Sequence, residues 1–183
     1  MRGIDNAESV ADHSWGTAML CRIYAASAEV NPTDAMAMAL LHDLAESETG
    51  DIPYAPQGRA ISEERANKAQ AEAAEMSRLL GRNSTIPGAD TLLDLWEEYE
   101  HSRTRTALFV RDMNLVDMAL QALLYHTQER TEESGLKMLE FVDSARARVR
   151  TDVGRRLTDE IKTEIHNLRD SAPEYTRRTQ ESD

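Results

Sequence analysis

An all-α single domain is the fold class this sequence predicts, and three observations predict it. Apolar residues recur at helical spacing in one segment after another, between start and stop signals. No stretch alternates apolar and polar residues as a half-buried strand would. No linker or repeat divides the 183 residues, a length that buries a substantial core in one domain.

The elements run in order along the chain. Ser9 to Ala28 places Val10, Ala18, Cys21 and Ala25 on one helical face. Asn31-Pro32-Thr33 is a start signal, and the second helix runs apolar from there until Gly50. "GDIPYAP" is a Gly/Pro loop. Ser62 with Glu63 and Glu64 opens a charged helix that continues to Leu80. "GRNSTIPGAD" is a second loop, with Asp90 as the cap of the next helix. Further helices are expected over Thr91 to His101, Arg103 to Tyr125, Thr131 to Arg150 and Leu157 to Leu168. Residues 1–170 thus form the domain, and the polar stretch 171–183 is a flexible tail.

Composition narrows the function. The net charge of −12 argues against binding nucleic acid or anionic membranes nonspecifically, which takes a basic face. It would also repel a phosphorylated substrate, so a phosphate site has to bring its own positive charge, as a metal ion or an arginine. No apolar run is long enough to span a bilayer, and "MRGIDNAESVADH" lacks the apolar core of a signal peptide. The single cysteine, Cys21, permits no internal disulfide and fits a reducing cytoplasm.

One stretch does not fit a simple apolar helix. "ALLHDLAESETGDIPYAP" sets His42 beside Asp43, puts Glu46 three or four residues on along the same helical face, and then brings Asp51. Burying such groups costs several kcal/mol unless something pairs with them. A divalent metal ion is one partner; a hydrogen-bonded core or a solvated helix end is another. Imidazole with carboxylate suits Mn, Co, Fe, Ni or Zn. Adjacent helical residues diverge by about 100°, so other helices have to close the sphere. His13 in "VADHSW" and the later helix carrying Asp112, Asn114 and Asp117 would do so. Such an ion lowers the pKa of bound water and neutralises phosphate.

At these residues the chain resembles the HD-domain hydrolase superfamily, whose pattern is His, then His-Asp, then a distant Asp, all on helices. "AESVADHSW", "LLHDLAESETGDIP", "LWEEYE" and "FVRDMNLVDMALQAL" together resemble the HD-domain 5'-deoxynucleotidases, in the HD-domain-containing protein 2 branch. The resemblance covers Gly3 to about Tyr125. It implies a helical bundle, usually a homodimer, that binds one divalent metal ion (Mg joins the candidates) and hydrolyses deoxynucleoside 5'-monophosphates. By position His13, His42 and Asp43 match metal ligands, Glu46 the water-activating residue, and Asp51 the acidic residue near phosphate and water. The fourth ligand, an aspartate in the family, falls on Asn114, which carries no charge; Asp117, three residues on, is the substitute. The family's upstream helix with its phosphate-gripping Arg-x-Gly-Trp precedes the point where this sequence begins.

Two other readings stay open. The same ligands serve HD enzymes that release triphosphate or cleave phosphodiesters, and an HD fold that has lost catalysis would serve as a nucleotide-binding or dimeric interaction module. Trp15 reads as a core aromatic, with lining of the substrate's base pocket as its other role. Trp96 and Tyr99 of "LWEEYE" are expected to pack inward, and Met36, Met38, Met113 and Met118 to fill the core or a dimer seam. His101, His126 and His166 read as structural or surface residues.

Overall fold

The computed structural model describes residues 8–46, 60–81, 85–129 and 132–170. Among them are seven helices and no strand: α1 (Val10–Ala28), α2 (Pro32–Leu41), α3 (Ala60–Leu80), α4 (Ala89–His101), α5 (Arg105–Glu129), α6 (Glu132–Arg148) and α7 (Asp152–Asp170). The all-α expectation holds. The chain divides into two compact units, Met1–Asn114 and Leu115–Asp183, with the boundary inside α5.

In the first unit, α1 starts at a full capping box. The Ser9 side chain accepts from the Asp12 N–H at 3.2 Å, and the Asp12 carboxylate accepts from the Ser9 N–H at 3.1 Å. The helix ends with Glu29 in the left-handed region, and the Val30 N–H reaches back to Ala25 O at 3.1 Å. Asn31 caps α2 by accepting from the Thr33 N–H, with Pro32 in the first turn as expected. Small buried residues line both helices: Ala18, Cys21, Ala25 and Ala28 on α1, Ala35 and Ala39 on α2. They let the two backbones pack closely along each other. Val10 does not join that face; it lies exposed in the first turn.

α2 stops earlier than its apolar run suggests. It ends at Leu41, and the chain tightens into i→i+3 bonds, Leu44 N to Leu41 O and Glu46 N to Asp43 O. His42 and Asp43 therefore sit on a tightened turn beyond the helix, and Glu46 follows where helical backbone resumes, so the three do not share one regular face. The "GDIPYAP" loop lies outside the described residues.

α3 begins at Ala60, so Ser62 falls inside its first turn instead of capping it. α4 takes Gly88 as its cap, at φ 77°, a conformation glycine adopts without strain, and Asp90 falls in the first turn instead. Trp96, Met76, Leu80, Ala89, Leu41 and Ala45 form one apolar cluster that ties α3 and α4 to the end of α2. Along α5, Ala107, Phe109, Val110 and Met113 are fully buried.

In the second unit α6 and α7 pair. Val153, Leu157, Ile161 and Ile165 recur every four residues along α7 and are all buried, as is Val142 on α6. α7 starts five residues before the expected Leu157: the Thr151 hydroxyl accepts from the Gly154 N–H at 3.1 Å and supplies the cap. The polar run Gly154-Arg155-Arg156 hid that first turn. The tail 171–183 lies outside the described residues.

Candidate metal centre

The early end of α2 shapes the site. The last carbonyls of a helix have no partner in its ladder, and His42 folds back on its own terminus so that Nδ1 lies 2.7 Å from Ala39 O. A carbonyl only accepts, so Nδ1 carries the proton, and in the neutral ring Nε2 presents its lone pair. That atom is buried and, among the described residues, has no hydrogen-bond partner. It lies 3.1 Å from Asp43 Oδ2, while His13 Nε2 approaches the same oxygen at 3.8 Å from α1. The two rings stand 5.3 Å apart.

All three donor atoms lie within 4.8 Å of one another. Two acceptors 3.1 Å apart in a buried place repel unless positive charge comes between them. A proton on His42 would relieve one contact; a divalent cation relieves all three. Two imidazoles and a carboxylate are a donor set for borderline divalent ions. The residues fit the ion that the sequence pattern implies. Burial pushes the Asp43 carboxyl up, but a proton on the His42 ring beside it, with positive charge on His13 and Lys68, outweighs burial and holds it below its ordinary range, so this oxygen favours positive charge against it.

Glu46 is largely buried, and its carboxylate accepts from the Lys68 ammonium of α3 at 2.7 Å. Lys68 also pairs with Glu72, four residues on, at 3.3 Å. Burial alone would lower the Lys68 pKa; its bonds to Glu46 and Glu72 raise it instead. Sequence reasoning missed Lys68. The signal that could have found it was one of only three lysines in a chain rich in arginine, set one turn before a glutamate.

Tyr99 forms the opposite wall. Its ring meets His42 edge-on at 5.3 Å, and its hydroxyl accepts from Asn114 Nδ2 at 3.1 Å. Burial raises the phenol's pKa, so it stays protonated. Arg111 lies over the same ring at 4.3 Å and donates to the carbonyls of Tyr99 and Glu100, closing the end of α4. Through Tyr99, Asn114 joins the His42 side of the site. Partial burial lifts the Glu100 carboxyl, Arg111 opposes this, and Glu72 and Asp43 add to the rise.

The remaining candidates divide. Trp96 and Tyr99 are buried, as expected, and so are Met38 and Met113. Trp15 is 65% exposed, which corrects the core reading: it comes directly after His13 and Ser14 on α1 but points to solvent. Asp51 lies outside the described residues. Asp117 falls in the second unit, three residues beyond Asn114. His101 bonds Glu97 O from an exposed position and His166 is exposed, in keeping with structural or surface roles.

A helical protein that brings two histidines and an aspartate within 4.8 Å of one another offers a candidate His/Asp metal site. Residues 1–157 match the HD domain family model, and the chain belongs to that family. It is 32% identical over 155 residues to the 5'-deoxynucleotidase HDDC2 of Dictyostelium discoideum, covering 80% of this chain and 77% of that protein. To the HDDC2 5'-deoxynucleotidase of Xenopus laevis it is 35% identical over 129 residues, 70% of this chain and 61% of that one. Among solved structures, the PH0347 protein from Pyrococcus horikoshii OT3 superposes with a TM-score of 0.64 at 25% identity, covering 91% of this chain and 87% of that one.

Proposed function

We propose that this protein is a metal-dependent 5'-deoxynucleotidase that hydrolyses deoxynucleoside 5'-monophosphates to deoxynucleoside and phosphate. The observation that carries the reading is the buried His42 Nε2, without a hydrogen-bond partner among the described residues and converging with His13 and Asp43. Relatives named as 5'-deoxynucleotidases support the choice of substrate. The test is phosphate release from a panel of deoxynucleoside mono- and triphosphates across divalent metals. Release of triphosphate, or turnover without added or bound metal, would overturn it.

His13, His42 and Asp43 would hold one divalent ion, with Asn114 as the fourth protein ligand. The bound ion supplies positive charge against the phosphate and makes water acidic enough to attack at neutral pH. In the hydrolysis the water oxygen bonds to phosphorus and the bond from phosphorus to the sugar 5'-oxygen breaks. Glu46, just past Asp43, takes a proton from the water and passes it to the departing 5'-oxygen, so the nucleoside leaves protonated there and the phosphate keeps the water's other proton. Lys68 pairs with the Glu46 carboxylate and holds it in place. Asp51 acts beside the phosphate, as its position in the motif implies. Trp15, exposed near His13 in the sequence, is free to line the base pocket.

The working domain spans residues 1–170 and acts as a homodimer in the cytoplasm. The free, buried Cys21 suits that compartment, and among the described residues no helix is long and apolar enough to cross a membrane. Leu120 and Leu124 lie one turn apart on α5 and are 39% and 47% exposed, an apolar strip that suits a seam between copies. Light scattering at assay concentration should give twice the 20.6 kDa chain mass, and Leu124→Glu should shift the mass toward the monomer. A monomer in the unmodified protein would remove the dimer from the reading.

A further inference from the structure

We infer that Tyr99 is a positioning residue that sets which end of the Asn114 amide is offered to the metal ion. The inference rests on the metal-site reading above. A carboxylate at position 114 would present two equivalent oxygens, and either could ligate. An amide presents one oxygen, which ligates, and one NH₂ group, which repels a cation. An asparagine ligand therefore needs something to fix its orientation.

The structure supplies it. Asn114 Nδ2 donates to the Tyr99 hydroxyl at 3.1 Å, so the nitrogen is the end held and Oδ1 is the end left for ligation. Among the described residues no hydrogen bond claims Oδ1. Tyr99 itself has little freedom: it is 5% exposed, clamped under Arg111 and set edge-on against His42, one of the proposed ligands. The tyrosine that packs one ligand thus orients another. Its hydroxyl matters because residue 114 is an amide.

A double-mutant comparison tests this by calorimetric titration of the metal-free protein with Zn²⁺ or Mn²⁺. Tyr99→Phe keeps the ring, the Arg111 stacking and the His42 contact, and removes only the hydroxyl. In the Asn114 protein it should weaken metal binding roughly 2- to 10-fold, the size of one hydrogen bond. Asn114→Asp should tighten binding by restoring a charge, and adding Tyr99→Phe to that variant should leave its affinity unchanged. Equal losses in both backgrounds would mean that Tyr99 only supports the fold, and would overturn the inference. So would no loss, or a gain, in the Asn114 background, because the nitrogen would then face the ion. If Asn114→Asp leaves affinity unaltered, residue 114 is not a ligand and the inference falls. His42→Ala separates the two levels: metal binding that survives it overturns the metal-site reading itself. Thermal melts without metal confirm that each variant folds.

Discussion

His42→Ala should leave the purified protein without bound metal and without hydrolytic activity. His42 Nε2 is the proposed donor atom with no hydrogen-bond partner among the described residues, so on this reading its loss removes a ligand outright. Even partners outside the ligand sphere typically change metal affinity by about 10- to 100-fold, so a lost ligand should exceed that range. Asp43→Asn is the companion variant. It keeps the side-chain shape, removes the only charge among the three converging groups, and should lose metal and activity together. Elemental analysis read beside turnover separates this from a purely structural cluster. If the three groups are only a hydrogen-bonded helix end, both changes would lower thermal stability while metal content stayed at background in parent and variants alike. For His42→Ala some destabilisation is expected in either case, because it removes the bond to Ala39 O and opens space beside Tyr99. Asp43→Asn leaves no such gap, which makes it the cleaner of the two.

The fold was readable in the sequence because its signals are local. Asn31-Pro32-Thr33 caps α2 through bonds spanning two residues, and the apolar repeat of each helix lies within that helix. The His42-Asp43 pair and His13 were readable for a similar reason: histidine beside carboxylate in an apolar run is costly and stands out. What escaped depends on distance along the chain. Lys68 reaches Glu46 across 22 residues, and Tyr99 reaches Asn114 across 15, so neither pairing has a local signature. The end of α2 at Leu41 was hidden because Leu44 and Ala45 continue the apolar pattern while the backbone changes to i→i+3 bonding. Trp15 shows the reverse error. An aromatic residue close to a candidate ligand looks like core, yet a helix turns about 100° per residue, so Ser14 is buried, His13 is half-buried and Trp15 faces solvent.

Glu46→Ala should separate chemistry from metal binding. Glu46 lies one tight turn past Asp43, bonded through its backbone N–H to the Asp43 carbonyl, while its carboxylate is engaged by Lys68 and is not among the three converging donor atoms. If it takes the proton from the attacking water, the alanine variant keeps its metal, keeps a KM close to the parent's and loses about 10²- to 10⁴-fold in kcat, the usual cost of removing a general base. Lys68 then has to be controlled for, because Glu46→Ala frees an ammonium that still pairs with Glu72. Glu46→Gln serves that purpose: it keeps the size and a hydrogen-bond acceptor for Lys68 but has no proton-accepting carboxylate. Both variants should lose similar amounts of kcat. If glutamine kept the parent's activity, Glu46 would be holding Lys68 and not moving a proton. If both variants lost their metal, Glu46 would be acting through the ligand sphere, and the water would need another base.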